Sequence, residues 1–182
     1  KEKTVAVELL KKLIAEQVSV YRRTNIVKSE KFSELIQGAM NRYLNGMLTN
    51  EEVIQELLKL AKEIADANAE GEKLGLNADE LAFYDALTKP QAIKDFYEHD
   101  ELIAITKELT DLLRKNRTID WQKKESARAG MRRLVKRLLK KHKYPPEGMD
   151  DAVQTVMSQC EMWTSKNTEQ TTILRCYVLT SA

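Results

Sequence analysis

Residues 121–143 read WQKKESARAGMRRLVKRLLKKHK, and their apolar positions recur at helical spacing. At 100° per residue the apolar side chains fall on an arc of roughly 140°. They are Ala127, Met131, Leu134, Val135, Leu138 and Leu139. Asp120 is a natural N-cap, and Pro145-Pro146 would stop the helix. The stretch therefore predicts one amphipathic helix over residues 121–143, with its apolar arc facing a core.

The remaining surface of this helix is strongly basic. Residues 114–143 hold thirteen Lys and Arg against two acidic residues, a formal charge of +11, whereas the whole chain is only +2. Each like-charge pair at i,i+4 costs a few tenths of a kcal/mol, and such segregation of charge favours an anionic partner. The candidate DNA-binding residues are Arg128, Arg132, Arg133, Lys136, Arg137, Lys140 and Lys141.

Two interpretations of this basic face are open. It can bind phosphates, which would make its affinity salt-dependent. Alternatively, acidic helices of the same domain, such as residues 51–72, can neutralise it, since the chain outside residues 114–143 sums to −9. Arg128 lies at the edge of the apolar arc, so a buried ion pair with an acidic neighbour is as good a prediction for it as a phosphate contact.

Helix signals continue along the rest of the chain. Apolar stripes predict a helix over residues 4–23, with Val5 and Leu9 on the same stripe as Ile14, and a second one closed by Asn45-Gly46. Capping boxes at Thr49 with Glu52, and at Asn77 with Glu80, open two more helices, which end at residues 74 and 88.

Further helices are expected over residues 91–115, with a break near residues 99–100, and after Asp150 as an N-cap. The fold class predicted is all-α, an irregular bundle of about seven or eight helices in one domain over residues 1–164. Residues 165–182 are rich in Thr and Ser before an apolar run. They are predicted to be a tail with no function of its own, either disordered or extended, or else added by cloning.

Composition bounds the setting of the protein. The chain has 182 residues, 42% of them hydrophobic, without the roughly 20-residue apolar run of a membrane span or the layout of a signal peptide. The two cysteines, Cys160 and Cys176, have no CxxC partner and are expected to be free thiols. A reducing, cytoplasmic location is the expectation, with no membrane contact.

Catalytic signatures are missing from the sequence. It contains no GxxxxGK[ST] loop, HExxH or GxSxG, and the isolated His99 and His142 suit surface roles better than metal ligation. We therefore expect no catalytic and no metal-binding residues. The aromatic residues near the basic helix, Trp121, Tyr144 and Trp163, are predicted to be core rather than base-stacking residues, because the basic arc itself contains no aromatic residue.

Several strings of the sequence are familiar in combination. They are GEKLGLNADELAFYDAL at 71–87, RKNRTIDW at 114–121, ESAR at 125–128, RLVKRLLK at 133–140, YPP at 144–146 and RYLN at 42–45. Together they resemble the C-terminal helical domain of the restriction (motor) subunit of type I restriction-modification enzymes. The resemblance covers about residues 5–163.

The resemblance implies a non-catalytic module of a larger enzyme. The full-length subunit is an ATP-dependent type I site-specific deoxyribonuclease that uses ATP and Mg, whereas this domain would need no cofactor. The module would dock the DNA-translocating subunit onto the methyltransferase core of modification and specificity subunits, and its basic helix would contact the backbone of duplex DNA. A purely structural, protein-binding scaffold and an independent enzyme are the alternatives.

Overall fold

The computed structural model describes residues 2–118 and 121–180, for residues 2, 3, 91, 92 and 166–180 only in their backbone. Within these ranges the chain is all-α, with eight α-helices, a short 3₁₀-helix and no β-strand. The predicted fold class and number of helices are confirmed. The chain divides into two compact units, unit 1 (Lys1–Gly75) and unit 2 (Leu76–Ala182), of which each is described by itself.

Unit 1 consists of α1 (Glu2–Tyr21), α2 (Ile26–Leu44) and α3 (Asn50–Leu74), and each helix packs against the other two. Its core includes Val7, Phe32, Val53 and Leu57, all essentially inaccessible to solvent. A buried lysine, Lys28, ties α2 to α3, because its Nζ donates to the Ala67 carbonyl at 2.9 Å and lies 3.2 Å from the Glu70 carboxylate.

The apolar residues of α1 lie on two different faces of the helix, one buried and one exposed. Val7, Ile14, Val18 and Tyr21 are buried, whereas Val5, Leu9, Leu13 and Val20 are half to two-thirds exposed. The helix predicted over residues 4–23 is confirmed, but Val5 and Leu9 lie apart from the buried face that contains Ile14. Apolar residues occupy both sides of this helix, and periodicity alone did not identify the side that α2 and α3 cover.

Both capping boxes predicted from the sequence are confirmed. The Thr49 hydroxyl accepts from the Glu52 amide while the Glu52 carboxylate accepts from the Thr49 amide, and Asn77 and Glu80 do the same. These reciprocal bonds satisfy amide groups that have no partner within the helix. Helix α3 then ends at Gly75, whose φ of +63° lies in the left-handed region.

Unit 2 is built around α4 (Ala78–Thr88), which packs against α6 (His99–Asn116) and α8 (Pro146–Thr180) and is buried continuously from Leu81 to Thr88. The other elements are α5 (Gln91–Phe96), the 3₁₀-helix (Trp121–Lys123) and α7 (Glu125–Lys141). Tyr144 joins the segment after α7 to α4, since its buried hydroxyl donates to the Leu87 carbonyl at 2.7 Å.

Replacing Gly75 by Ala is expected to lower the free energy of unfolding by about 1 kcal/mol, because a Cβ disfavours the left-handed conformation. The matched control is Gly130→Ala inside α7, where the added Cβ likewise meets no atom within 4 Å. That change should stabilise the protein by about 0.5–1 kcal/mol through helix propensity. Urea denaturation followed by circular dichroism measures both, and destabilisation of equal size by the two variants would contradict the account.

The basic helix is shorter than predicted. Trp121–Lys123 form a separate 3₁₀-helix, Lys124 is extended, and α7 begins at Glu125. The buried indole of Trp121 explains this break, because its Nε1 donates to the Thr164 hydroxyl of α8 and fixes the turn in a tertiary contact. Asp120, the predicted N-cap, lies outside the described residues.

The last helix begins earlier and continues further than predicted. It starts at Pro146, whose fixed φ suits the first turn of a helix, so Asp150 lies within α8 and is not its N-cap. Its backbone is helical as far as Thr180. This differs from the disordered or extended tail predicted for residues 165–182, and no Pro or Gly follows Gly148 to break the helix. Residues 181 and 182 lie outside the described residues.

Candidate nucleic-acid interface

Helix α7 presents its basic surface to solvent because its apolar side is fixed by its neighbours. Met131, Val135, Leu138 and Leu139 are buried where α7 packs against α6 and α8. The predicted apolar arc is thus confirmed for these four residues. The opposite side of the helix cannot contact the core of unit 2, which leaves its cations at the surface.

Four of the seven candidate DNA-binding residues are exposed and form no ion pair with any residue that the structure describes. They are Arg132, Arg133, Arg137 and Lys140, here called the exposed quartet. No acidic side chain interrupts α7 after Glu125. Repulsion within the quartet is therefore relieved only by solvent and salt, at a cost of a few tenths of a kcal/mol per i,i+4 pair.

The other three candidates, here called the paired trio, contact carboxylates of α6 and α8. Arg128 lies 3.0 Å from Glu161, Lys136 lies 2.7 Å from Asp150, and Lys141 lies 2.7 Å from Glu108. All six side chains are at least one-third exposed. Ion pairs this exposed contribute about 0–1 kcal/mol each, so they orient these cations more than they stabilise the fold.

These contacts bear on the two interpretations of the basic charge. The ion pair with Glu161 agrees with the alternative reading of Arg128, although the pair is only partly buried. The three carboxylates that pair with the trio, Glu161, Asp150 and Glu108, all belong to unit 2. Within residues 51–72, Glu56 and Glu70 pair with Arg42 and Lys28 inside unit 1.

Glu108 contacts two side chains at the C-terminal end of α7. It accepts a hydrogen bond from Lys141 Nζ and contacts His142 Nε2, both at 2.7 Å. The Lys141 bond, followed by the His142 contact, lowers the pKa of Glu108 below its ordinary value of 4.5. A similar contact from Lys136 lowers the pKa of Asp150. Neither carboxylate was identified from the sequence as a partner of α7, because both lie on other helices.

Replacing Glu108 by Gln should destabilise the protein in a pH-dependent way. A carboxyl group whose pKa is lowered in the native state contributes its full stability above the unfolded value of about 4.5 and loses it as the pH falls through the native value. The difference in unfolding free energy between wild type and Glu108→Gln should therefore be largest above about pH 5 and shrink in acid. Lys141→Gln should reproduce most of this dependence. A difference that stays constant from neutral to acidic pH would contradict it.

The aromatic residues next to α7 are buried, as predicted. Trp121, Tyr144 and Trp163 are each less than one-tenth exposed. The Trp163 ring meets Phe83 edge-on with 5.6 Å between ring centroids, and the Arg117 guanidinium lies 4.3 Å from the centre of the same ring. These rings are therefore not available to stack on bases in this conformation.

Other candidate chemistry is sparse in the parts of the chain that the structure describes. His142 contacts Glu108, and His99 lies edge-on to the Tyr84 ring. Cys160 is a free thiol whose pKa is raised to about 12 by burial. Within the described residues, no His, Cys, Asp or Glu residues group in threes or more at metal-binding distances. Likewise, no helix there is long and apolar enough to span a bilayer.

Comparison with known proteins identifies a family and two relatives of this chain. A family model described as "Type I restriction enzyme HindI endonuclease subunit-like, C-terminal" matches residues 1–166. The chain is 40% identical over 159 residues to the type I restriction enzyme HindI endonuclease subunit of Haemophilus influenzae. It is 32% identical over 145 residues to a putative type I restriction enzyme MjaIXP endonuclease subunit of Methanocaldococcus jannaschii.

The matches cover most of this chain but little of the relatives. They include 87% and 79% of the chain, and only 15% and 13% of the Haemophilus and Methanocaldococcus proteins. No solved structure matches the chain. The family model extends over nine-tenths of the sequence, and it covers the capping boxes, α7 and the buried aromatic residues described above. The chain therefore belongs to the family of C-terminal regions of HindI-like type I restriction enzyme endonuclease subunits.

Proposed function

We propose that this chain is a non-catalytic helical module of a type I restriction endonuclease subunit, with two tasks. It docks the ATP-dependent subunit that translocates and cleaves DNA onto the methyltransferase core of modification and specificity subunits. It also contacts the backbone of duplex DNA through α7, without reading its sequence. Membership of the family supports the first task, and the exposed quartet supports the second.

The observation that carries the DNA contact is the absence of acidic partners for the exposed quartet among the described residues. Cations that already have protein carboxylates gain less from a phosphate, because the first ion pair must be broken. The quartet has no such ion pair to lose. Each phosphate that it neutralises would release condensed counterions, which is the main source of sequence-independent affinity for DNA.

The expected ligand is the phosphate backbone rather than the bases. The described part of α7 carries no aromatic residue, and the nearby tryptophans are buried. Phosphate contacts fix position and orientation but carry no sequence information. We therefore propose that site recognition belongs to the specificity subunit and that α7 holds the duplex wherever the complex binds. ATP and Mg are assigned to other parts of the full-length subunit.

Fluorescence anisotropy with two unrelated labelled duplexes tests the DNA contact. The proposal predicts binding of both duplexes with similar affinity at low salt, and weaker binding near physiological salt. Strong preference for one sequence, or no binding at low salt, would overturn it. Incubation of the purified chain with ATP, Mg and plasmid should give no hydrolysis and no cleavage; turnover would overturn the non-catalytic assignment.

Docking has a separate test with the full-length endonuclease subunit. Gel filtration with the methyltransferase core should give a complex for the intact subunit, and no complex when this C-terminal region is deleted. The isolated chain should compete for the core. Formation of the complex without the region would overturn the docking task and leave the DNA contact untouched.

A purely structural scaffold is the second candidate, and the paired trio favours it. Three of the seven candidate residues already have carboxylate partners within unit 2. If acidic side chains elsewhere in the full-length subunit form ion pairs with the exposed quartet, its positive charge stabilises protein–protein contacts and does not bind phosphate. In that case, replacing the exposed quartet by Glu would weaken DNA binding by the isolated chain and leave DNA binding by the full-length subunit unchanged.

A further inference from the structure

The apolar side chains that the structure leaves exposed are unevenly distributed. Among the described side chains, unit 1 contains eight large hydrophobic residues that are more than two-fifths exposed, whereas unit 2 contains one, Phe96. Four of the eight lie on α1 and are here called the α1 strip. They are Val5, Leu9, Leu13 and Val20.

The α1 strip lies on one side of the helix. At 100° per residue its four members fall within an arc of about 80°, and Glu16 is the one charged side chain of residues 4–21 inside that arc. The buried residues Val7, Ile14 and Val18 lie on the opposite side and hold α1 to the core of unit 1. Only one of the two apolar faces of α1 packs inside unit 1, and the other is exposed to solvent.

The charge of unit 1 points to a protein rather than a nucleic acid as the occupant. Residues 1–75 contain twelve Lys and Arg and twelve Asp and Glu, a net formal charge of zero. Nucleic acids bind mainly through neutralised phosphates, which this balance does not favour. Removal of apolar side chains from water is the interaction that the strip offers.

The size of the strip indicates a tethered occupant. Four side chains that are half to two-thirds exposed present roughly 400 Å², whereas each partner of a stable complex buries about 800 Å². A free protein, including a second copy of this chain, would bind such a strip weakly. A segment of the same polypeptide would bind it at the millimolar effective concentration that a short linker provides.

The relatives indicate which polypeptide supplies the tether. This region matches only 15% and 13% of their lengths, and the family description places it at the C-terminal side. Most of the polypeptide in such subunits therefore precedes the region, and α1 is the first helix of the match.

We propose that the α1 strip is a docking surface for the apolar face of a helix from the part of the same endonuclease subunit that precedes this region. The inference rests on the proposed function insofar as the chain works as the C-terminal module of a longer subunit. In this proposal the two units have different partners: α1 of unit 1 binds the rest of its own subunit, and α7 of unit 2 binds DNA.

Cysteine labelling tests this inference. Leu9→Cys is placed in the 182-residue chain and, separately, in the full-length subunit, both with Cys176→Ser. Maleimide labelling of the peptide around position 9 is followed by mass spectrometry. A strip covered about nine-tenths of the time should label about tenfold more slowly in the full-length subunit. Cys160 contributes little background because it is buried and its pKa is raised to about 12.

The matched control is Ala15→Cys, an exposed position on α1 about 120° from Leu9 around the helix. It should label at similar rates in both proteins. Equal rates at position 9 in the two proteins would overturn the proposal. So would protection that appears only when the methyltransferase core is added, or that depends on the concentration of the isolated chain. DNA binding by α7 is read in a separate assay, so its failure is distinguishable from this one.

Discussion

Replacement of all four residues of the exposed quartet by Glu is expected to weaken binding to a random-sequence duplex by at least about a hundredfold at low salt. The change lowers the formal charge of the chain from +2 to −6 and places every new carboxylate on the face proposed to meet phosphates. Non-specific affinity derives almost entirely from cations that neutralise phosphates, so little binding should remain.

The fold should survive this charge reversal. The quartet is exposed and forms no ion pair with the described residues, while the buried face of α7 is unchanged. Circular dichroism should therefore show the helical content of the wild type. A comparison variant replaces the paired trio by Gln, a change of 3 in formal charge against 8 for the quartet variant. It should weaken binding less for each charge removed, because those cations are shared with carboxylates. A folded quartet variant that binds DNA as tightly as the wild type would remove α7 from the DNA contact.

Trp163→Ala is expected to lower the unfolding free energy of unit 2 by about 3–5 kcal/mol. The ring is 5% exposed, and its removal leaves a cavity beside Phe83. It also removes the aromatic face over which the Arg117 guanidinium lies at 4.3 Å. One nitrogen of Arg117, Nη1, is buried with no hydrogen-bond partner within the described structure, so the ring is a major part of its environment.

Tryptophan fluorescence during urea denaturation measures this loss in the relevant unit. Both tryptophans of the chain lie in unit 2, so the variant retains Trp121 as its reporter. Phe96→Ala is the matched control, since that ring is 60% exposed and its loss should cost under about 1 kcal/mol. An equal shift in the two variants would mean that Trp163 is not part of the core that supports α7.

Local signals explain how much of the fold could be predicted. The start of α3 follows from Thr49 and Glu52, whose reciprocal hydrogen bonds need no distant residue, and the end of α3 follows from Gly75. The break at Lys124 could not be predicted in this way. It depends on Trp121, which is anchored by the Thr164 hydroxyl 43 residues later in the chain.

The basic residues of the candidate site could be predicted from the sequence, but their ion-pair partners could not. Helical spacing placed the exposed quartet outside the apolar arc that contains Met131 and Val135. The spacing carried no information on Glu108 and Glu161, which reach α7 from α6 and α8 only after the chain has folded. The two faces of α1 were missed for the same reason, because which face is covered depends on the packing of other helices.

The salt dependence of DNA binding tests the central claim most directly. The logarithm of the association constant for a random duplex, measured against the logarithm of salt concentration, falls by about 0.9 per neutralised phosphate. Contacts by the exposed quartet alone predict a slope of about −3.6, against about −6 if all seven candidates bind phosphate. The quartet variant should show a slope near zero or no binding. If the quartet variant binds DNA with the same slope as the wild type, the account is contradicted.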